Sequence, residues 1–196
     1  NQYVTFKGGK ASASRGVGLT IGEGLDMFEP DALRYALAAN LPEQSDTDIS
    51  IDEIVRRINE ELVATWGNLV NRVLSMVNKT CEGQAPPPGD KKDEDHKVLA
   101  EVDAMLLKAS QQLEKVEIRA ALRSAMDGAA AVNAYLNATE PWRVTKEDPD
   151  RATTILSTAL EAINGVRVAL APYLPFSTTR LEEIFGPISS GQRSPV

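Results

Sequence analysis

The chain has 196 residues, of which 42% are hydrophobic and 5% aromatic, and it carries a net charge of −7 at pH 7. A chain of this length can bury the core of one or two domains. The acidic balance argues against a protein that coats nucleic acid non-specifically, because such binding depends on many lysine and arginine contacts to phosphate, but a site-specific contact stays open. We expect no DNA partner, and no membrane partner, since no apolar run approaches the length of a membrane span.

Cysteine and histidine occur once each, as Cys81 and His96. One cysteine excludes a disulfide framework, and the two residues together cannot form a Cys/His zinc site, so we predict no metal site in this chain. A single histidine also leaves no Ser/His/Asp or Cys/His arrangement to assemble. We therefore expect a cytoplasmic protein whose chain holds no self-contained active site.

The chain begins with a predicted β-hairpin and a glycine-rich loop. "YVTF" is rich in strand-forming residues, and Gly8–Gly9 suits a tight turn, so residues 1–12 are predicted as a strand pair. The loop "GGKASASRGVG" follows. Composition alone is more typical of a flexible turn than of a phosphate site, because the Walker pattern is absent. However, residues 1–22 contain three bases and no acid: Lys7, Lys10 and Arg15.

Helical patterns dominate from there to the C-terminus. A short amphipathic segment at Leu25–Phe28 precedes "EPDALRYALAANLP", a predicted helix with Pro30 in its first turn and Pro42 beyond its end. Ser50 and Glu53 predict a capping box. Apolar residues at steps of three and four then predict one continuous helix of roughly thirty residues: Ile51, Val55, Ile58, Leu62, Trp66, Leu69, Val73 and Met76.

Four more helices are predicted after the proline-rich loop "CEGQAPPPGDKKDED". They span about residues 94–113, 118–138 and 151–170, with a short last one at "TTRLEEIFG", while "EPWRVTKEDPD" is predicted as a connection. The fold class is therefore mainly α, an antiparallel helical bundle after a small β-hairpin and loop. We predict a loop and connector at residues 1–48, the bundle at 49–186, and a disordered tail or linker at 187–196.

Several motifs resemble one family. Lys10, Ser12, Ser14 and Arg15, followed by "GVGLTIGEGLDMFEPDALRYALA", resemble the "KMSKS" signature loop of class I aminoacyl-tRNA synthetases, and the segment is similar to that of the methionyl-tRNA synthetases. "WGNLVNR" resembles the Asn-Leu-x-x-Arg motif of that family's anticodon-binding domain, and "EPWRVTK" resembles its Pro-Trp loop. The resemblance covers residues 1 to about 175.

The resemblance implies an ATP-dependent ligase that joins methionine to tRNA(Met). It places Lys10, Ser12 and Ser14 at the ATP phosphates, with Mg²⁺ as the family's metal, and makes L-methionine and tRNA(Met) partners. Ala11 replaces the signature's methionine and Ala13 its second lysine, so Arg15 is a candidate for the missing charge. The Rossmann half with its "HIGH" signature is missing. We therefore interpret the chain as a fragment, inactive alone, that works with that catalytic domain.

A second site is implied on the bundle. Asn68 and Arg72 are four residues apart, so they share a helix face, where an amide and a guanidinium can bind the edges of an unstacked base. The resemblance assigns recognition of the anticodon CAU to Asn68, Arg72 and Trp142, with Pro141 shaping the loop. From pattern alone, Asn and Arg at a helix edge are usually only solvated, and a tryptophan after proline is usually a core anchor.

Two other functions stay open. A stand-alone tRNA-binding module without catalysis would explain the loss of lysine at Ala13. An all-α protein-interaction bundle would show the same periodicity, but it would have no reason to keep the segment 10–16 ahead of the helices.

Overall fold

A three-stranded sheet lies at the start of the computed structural model, which describes residues 3–6, 9–10, 18–43 and 45–185. Strand β1 (Val4–Phe6) is central; it pairs antiparallel with β2 (Gly9–Lys10) and parallel with β3 (Thr47–Ile49). The predicted hairpin is present, and Gly9, which was predicted to lie in its turn, pairs with Phe6 within the sheet. The residues between β1 and β2 lie outside the described ones.

Two short helices, α1 (Ile21–Met27) and α2 (Pro30–Ala39), form the connector between the first two strands and β3. Helix α1 begins four residues before the predicted segment, because Thr20 and Glu23 form a capping box. Helix α2 begins at Pro30 as predicted, since proline needs no hydrogen bond at this position.

The long helix predicted after Ser50 is continuous, but its middle is wide. It consists of α3 (Ile51–Arg56), a π-segment (Arg57–Gly67) and α4 (Asn68–Thr80). The backbone N–H of Asn68 donates to the oxygen of Val63, five residues earlier, instead of four.

Two details of the predicted start of this helix are wrong. Val55 is 39% exposed, and Ile54 is buried in its place. The hydroxyl of Ser50 accepts from the N–H of Glu53 as predicted, but the Glu53 carboxylate accepts from Arg56 and Arg57.

Three long helices form the centre of the bundle: α5 (Asp93–Glu114), α6 (Ile118–Thr139) and α8 (Pro149–Leu170). A short helix, α7 (Pro141–Glu147), occupies most of the stretch predicted as a connection, because a proline can start a helix. The last described helix is α9 (Pro175–Phe185). Within the described ranges, no helix is both long enough and apolar enough to cross a membrane.

The main core lies between α4, α5, α6 and α8, and the long buried side chains Leu69, Leu136 and Ile163 are part of it. Trp66 also belongs to this core as predicted, with 4% of its surface exposed. Gly165 brings α5 and α8 close together, since a Cβ there would lie 2.5 Å from Val102. A smaller cluster joins the connector to α3: Leu33, Ala36, Ile49 and Ile54.

Candidate functional site

Arg72 and Trp142 lie together on the surface, although 70 residues separate them in the sequence. The guanidinium carbon of Arg72, on α4, lies 5.3 Å from the centroid of the Trp142 ring at the start of α7. This distance suits a cation–π interaction, which holds a planar cation against the indole. The structure thus brings two of the predicted site residues into contact.

The loop before Trp142 has an unusual backbone. Glu140 ends α6 in the left-handed conformation (φ 42°, ψ 55°), which is uncommon for residues other than glycine. Pro141 follows as the buried first residue of α7, and its fixed φ starts the new helix at once. Trp142 follows at the surface, and its 41% exposure does not fit a core anchor.

Asn68 is the first residue of α4 and lies one helical turn before Arg72. Its side chain is exposed, and its Nδ2 lies 3.5 Å from the oxygen of Ala64, the outer limit of a hydrogen bond. The amide is thus available to a ligand at little cost.

Helix α6 provides two asparagines that the sequence analysis did not identify. Asn137 accepts a hydrogen bond from Arg72 at 3.3 Å, and this leaves most of the five N–H groups of the guanidinium available. One turn earlier, Asn133 donates to the oxygen of Thr65 at 3.0 Å and so joins α6 to the π-segment. The four-residue spacing of Asn133 and Asn137 matches that of Asn68 and Arg72, and it is the signal that could have found them.

A cleft of about 400 Å³ continues between the π-segment and α6, beyond Thr65. Its charged lining has both signs: Arg57, Glu60, Glu61, Arg119, Arg123 and Asp127. Much of this charge is paired internally, since Arg57 binds Glu61 at 3.0 Å and Glu61 accepts from Tyr35 at 3.0 Å. Burial, together with the charge of Glu61, raises the pKa of Tyr35, so this hydroxyl stays protonated.

The predicted signature loop is mostly outside the described residues. Lys10 belongs to β2, with its Cα opposite that of Thr5. Ser12, Ser14 and Arg15 all lie in the part of the chain that the structure does not describe, and so do Ala11 and Ala13.

Reactive side chains are scarce in the described ranges. No group of three or more His, Cys, Asp or Glu residues in these ranges could hold a metal ion. Burial raises the pKa of the Cys81 thiol, which disfavours the reactive thiolate. His96 is exposed near the start of α5.

Comparisons with known protein families divide the chain into two parts. Residues 1–74 match the family "tRNA synthetases class I (M)". Residues 85–192 match the family "Anticodon binding domain of methionyl tRNA ligase".

Several curated proteins and solved structures are similar to the chain. A methionine–tRNA ligase of Chloroflexus aggregans is 45% identical over 95% of this chain and 31% of its own length. One of Roseiflexus castenholzii is 41% identical over the same shares. The crystal structure of Mycobacterium tuberculosis methionyl-tRNA synthetase bound by methionyl-adenylate is 26% identical, with a TM-score of 0.86 over 97% of this chain and 38% of that one. The chain thus spans about a third of the length of these curated relatives.

Proposed function

Because the chain belongs to the methionyl-tRNA synthetase family, of which it contains the anticodon-binding domain, we propose that Asn68, Arg72 and Trp142 bind the CAU anticodon of tRNA(Met). The observation that carries this proposal is the contact between Arg72 and the exposed indole of Trp142. A half-exposed aromatic ring next to unused hydrogen-bond donors is the usual surface for single-stranded bases.

Each side chain has a distinct role in this proposal. The indole of Trp142 supplies a flat surface on which the first anticodon base stacks. Arg72 holds the ring from one side and directs its remaining N–H donors to the base edge, whereas Asn68 offers both a donor and an acceptor. Pro141 fixes the backbone from which the indole projects.

For the whole protein, we propose the ATP-dependent ligation of methionine to tRNA(Met) in the cytoplasm. Lys10, Ser12 and Ser14 would contact the ATP phosphates, with Mg²⁺ as counterion, and Arg15 would supply the charge that Ala13 lacks. A Rossmann catalytic domain would hold methionine and adenine. We place the connector at residues 1–48 and the anticodon-binding domain at 49–186, with 187–196 as a tail or linker.

The test is the binding of an anticodon stem-loop to the purified chain. Trp142→Ala should weaken binding of the CAU stem-loop by about 1–3 kcal/mol, the usual value of one stacked base, and leave the melting temperature nearly unchanged. Asn68→Ala and Arg72→Ala should each reduce discrimination against a stem-loop with a changed first base by about 1–3 kcal/mol.

Arg143→Ala is the matched control for Arg72→Ala. Arg143 follows Trp142 directly and is an exposed arginine paired with Glu140 at 2.8 Å, so its removal changes the charge near the indole but not the proposed site. The proposal fails if Arg143→Ala and Arg72→Ala affect discrimination equally. It also fails if Trp142→Ala lowers the melting temperature strongly without affecting stem-loop affinity.

A further inference from the structure

A buried carboxylate connects three helices at the end of the bundle that carries Trp142. Asp95, in the first turn of α5, is fully buried and accepts the backbone N–H of Lys92 at 2.9 Å. It also accepts from the hydroxyl of Tyr135 at 2.5 Å and from both terminal nitrogens of Arg151, one of them at 2.9 Å. Only 9% of the Arg151 side chain is exposed, so this ion pair lies mostly away from water.

The two side-chain donors to Asp95 flank the segment that carries the indole. Tyr135 is in the last turns of α6, five residues before the left-handed Glu140. Arg151 is in the first turn of α8, where Asp148 caps its backbone N–H at 3.0 Å. The segment that runs from the end of α6 through α7 to the start of α8 is therefore bound at both ends to the Asp95 side chain of α5.

We propose that Asp95, through Tyr135 and Arg151, is a positioning residue that fixes the α6–α7–α8 connection and thereby holds Trp142 ready for an RNA base. This inference rests on the proposed function. Helix α7 is short and packs against α8, and its half-exposed indole has Arg72 on one side, so the place of the ring depends on where α7 and α8 lie. The bidentate contact between Asp95 and Arg151 adds geometric specificity, because two parallel N–H···O bonds must align at once. Holding the ring in place before binding lowers the entropy cost of binding.

The test compares two buried tyrosine hydroxyls near opposite ends of α6: that of Tyr135, on α6 itself, and that of Tyr173, which follows α8 and reaches the first residue of α6. Tyr135→Phe removes one hydrogen bond to Asp95 and keeps the ring. Tyr173→Phe is the matched control, because Tyr173 is equally buried and donates to the oxygen of Ile118, about 25 Å away along the helix. Both proteins are studied at a temperature where circular dichroism shows them folded.

We expect Tyr135→Phe to weaken CAU stem-loop binding about three- to tenfold, the cost of ordering one large side chain. Tyr173→Phe should change it less than about twofold, since distant sites act independently. In a Trp66→Phe background, where Trp142 is the one remaining tryptophan, its fluorescence anisotropy in the free protein should fall with Tyr135→Phe and stay unchanged with Tyr173→Phe.

Equal effects of the two substitutions on affinity and anisotropy would overturn the inference. If the unmodified chain does not bind the stem-loop, or if Trp142→Ala leaves binding intact, the proposed function itself fails. If Trp142→Ala weakens binding while Tyr135→Phe leaves both affinity and anisotropy unchanged, the inference alone is wrong.

Discussion

Two places where helices meet, called joints below, each contain one buried aspartate: Asp31 connects α2 with α9, and Asp95 connects α5 with α6 and α8. The two joints differ in the groups that donate hydrogen bonds to the carboxylate. At the connector, Asp31 of α2 accepts from the backbone N–H of Ser177 at 2.6 Å, from its hydroxyl at 2.5 Å, and from the N–H of Phe176 at 3.3 Å. At the Trp142 end, Asp95 accepts from the charged Arg151. The first joint uses neutral donors, and the second uses a counterion.

The difference shows two ways of burying a negative charge. The donors to Asp31 are at the start of α9, where unpaired N–H groups and the helix dipole favour an anion. No second charge has to be desolvated there. Asp95 instead needs Arg151 to leave water as well, and each then depends on the other. We expect the charged joint to be more rigid and to suffer more from the loss of one partner.

The largest effect should come from removing one half of the charged joint. Asp95→Ala leaves the Arg151 guanidinium without its main partner in a mostly buried place, so we expect a loss of about 3–5 kcal/mol in the free energy of unfolding, measured in urea. Replacing both partners, Asp95→Ala with Arg151→Met, should be less harmful than Asp95→Ala alone. A double variant that is as unstable as the sum of the two single ones would contradict the proposed coupling.

Removing the carboxylate of the neutral joint should lower the free energy of unfolding by a smaller amount. Asp31→Ala removes an acceptor from three neutral donors, which water can reach once α9 loosens, so we expect about 1–3 kcal/mol. Amide exchange should speed up at the start of α9. Asp148→Ala is the control, because the Asp148 carboxylate accepts the N–H of Arg151 within the first turn of α8, a local contact away from α9. Exchange in α9 that is as slow in Asp31→Ala as in Asp148→Ala would show that the joint does not hold this helix.

The smallest expected effect is the change in stability with pH that Asp95 causes. Burial raises the pKa of Asp95, but hydrogen bonds from Arg151, Tyr135 and the Lys92 N–H outweigh it and set the pKa below its usual value. As the pH falls, Asp95 of the unfolded chain therefore binds its proton at a higher pH than Asp95 of the native protein does. Asp95 therefore contributes stability above about pH 4, and this is lost as the pH falls through the native pKa, by at most about 1.4 kcal/mol per pH unit.

The comparison with Asp95→Asn isolates this contribution. Unfolding free energies of the two proteins, measured from pH 7 to pH 3, should converge as the pH falls, since the amide does not titrate. Curves that stay parallel over this range would mean that Asp95 has the same pKa in both states.

Local signals in the sequence predicted much of the fold. Pro30 and Pro42 marked the helix between them, and the apolar spacing found the cores of α5, α6 and α8 within a few residues. The resemblance to methionyl-tRNA synthetases is confirmed, and it rested on short motifs that survive in order along the chain. The contact between Arg72 and Trp142 was expected because both motifs belong to one site in that family.

What the sequence did not predict depends on distant contacts. Strand β3 has three residues and exists because β1 pairs with it from more than forty residues away. No residue type is characteristic of the wide turns of the π-segment, so the apolar spacing predicted a regular α-helix there. Regular α-helical spacing also placed Val55 on the buried face, although it is exposed. The pairing of Asp95 with Arg151 could not be predicted, since no local pattern connects residues 56 positions apart.

The π-segment also affects how the chain tolerates changes in length. In this stretch the backbone bonds span five residues, and from Asn68 onward the helix has its normal pitch. One residue could be removed from the wide turns and the hydrogen bonds would close at the usual span of four. The helix downstream, with Asn68 and Arg72 above Leu69 and Val73 in the core, would keep its register. A deletion within the π-segment can thus be absorbed there before it changes the register of Asn68 and Arg72.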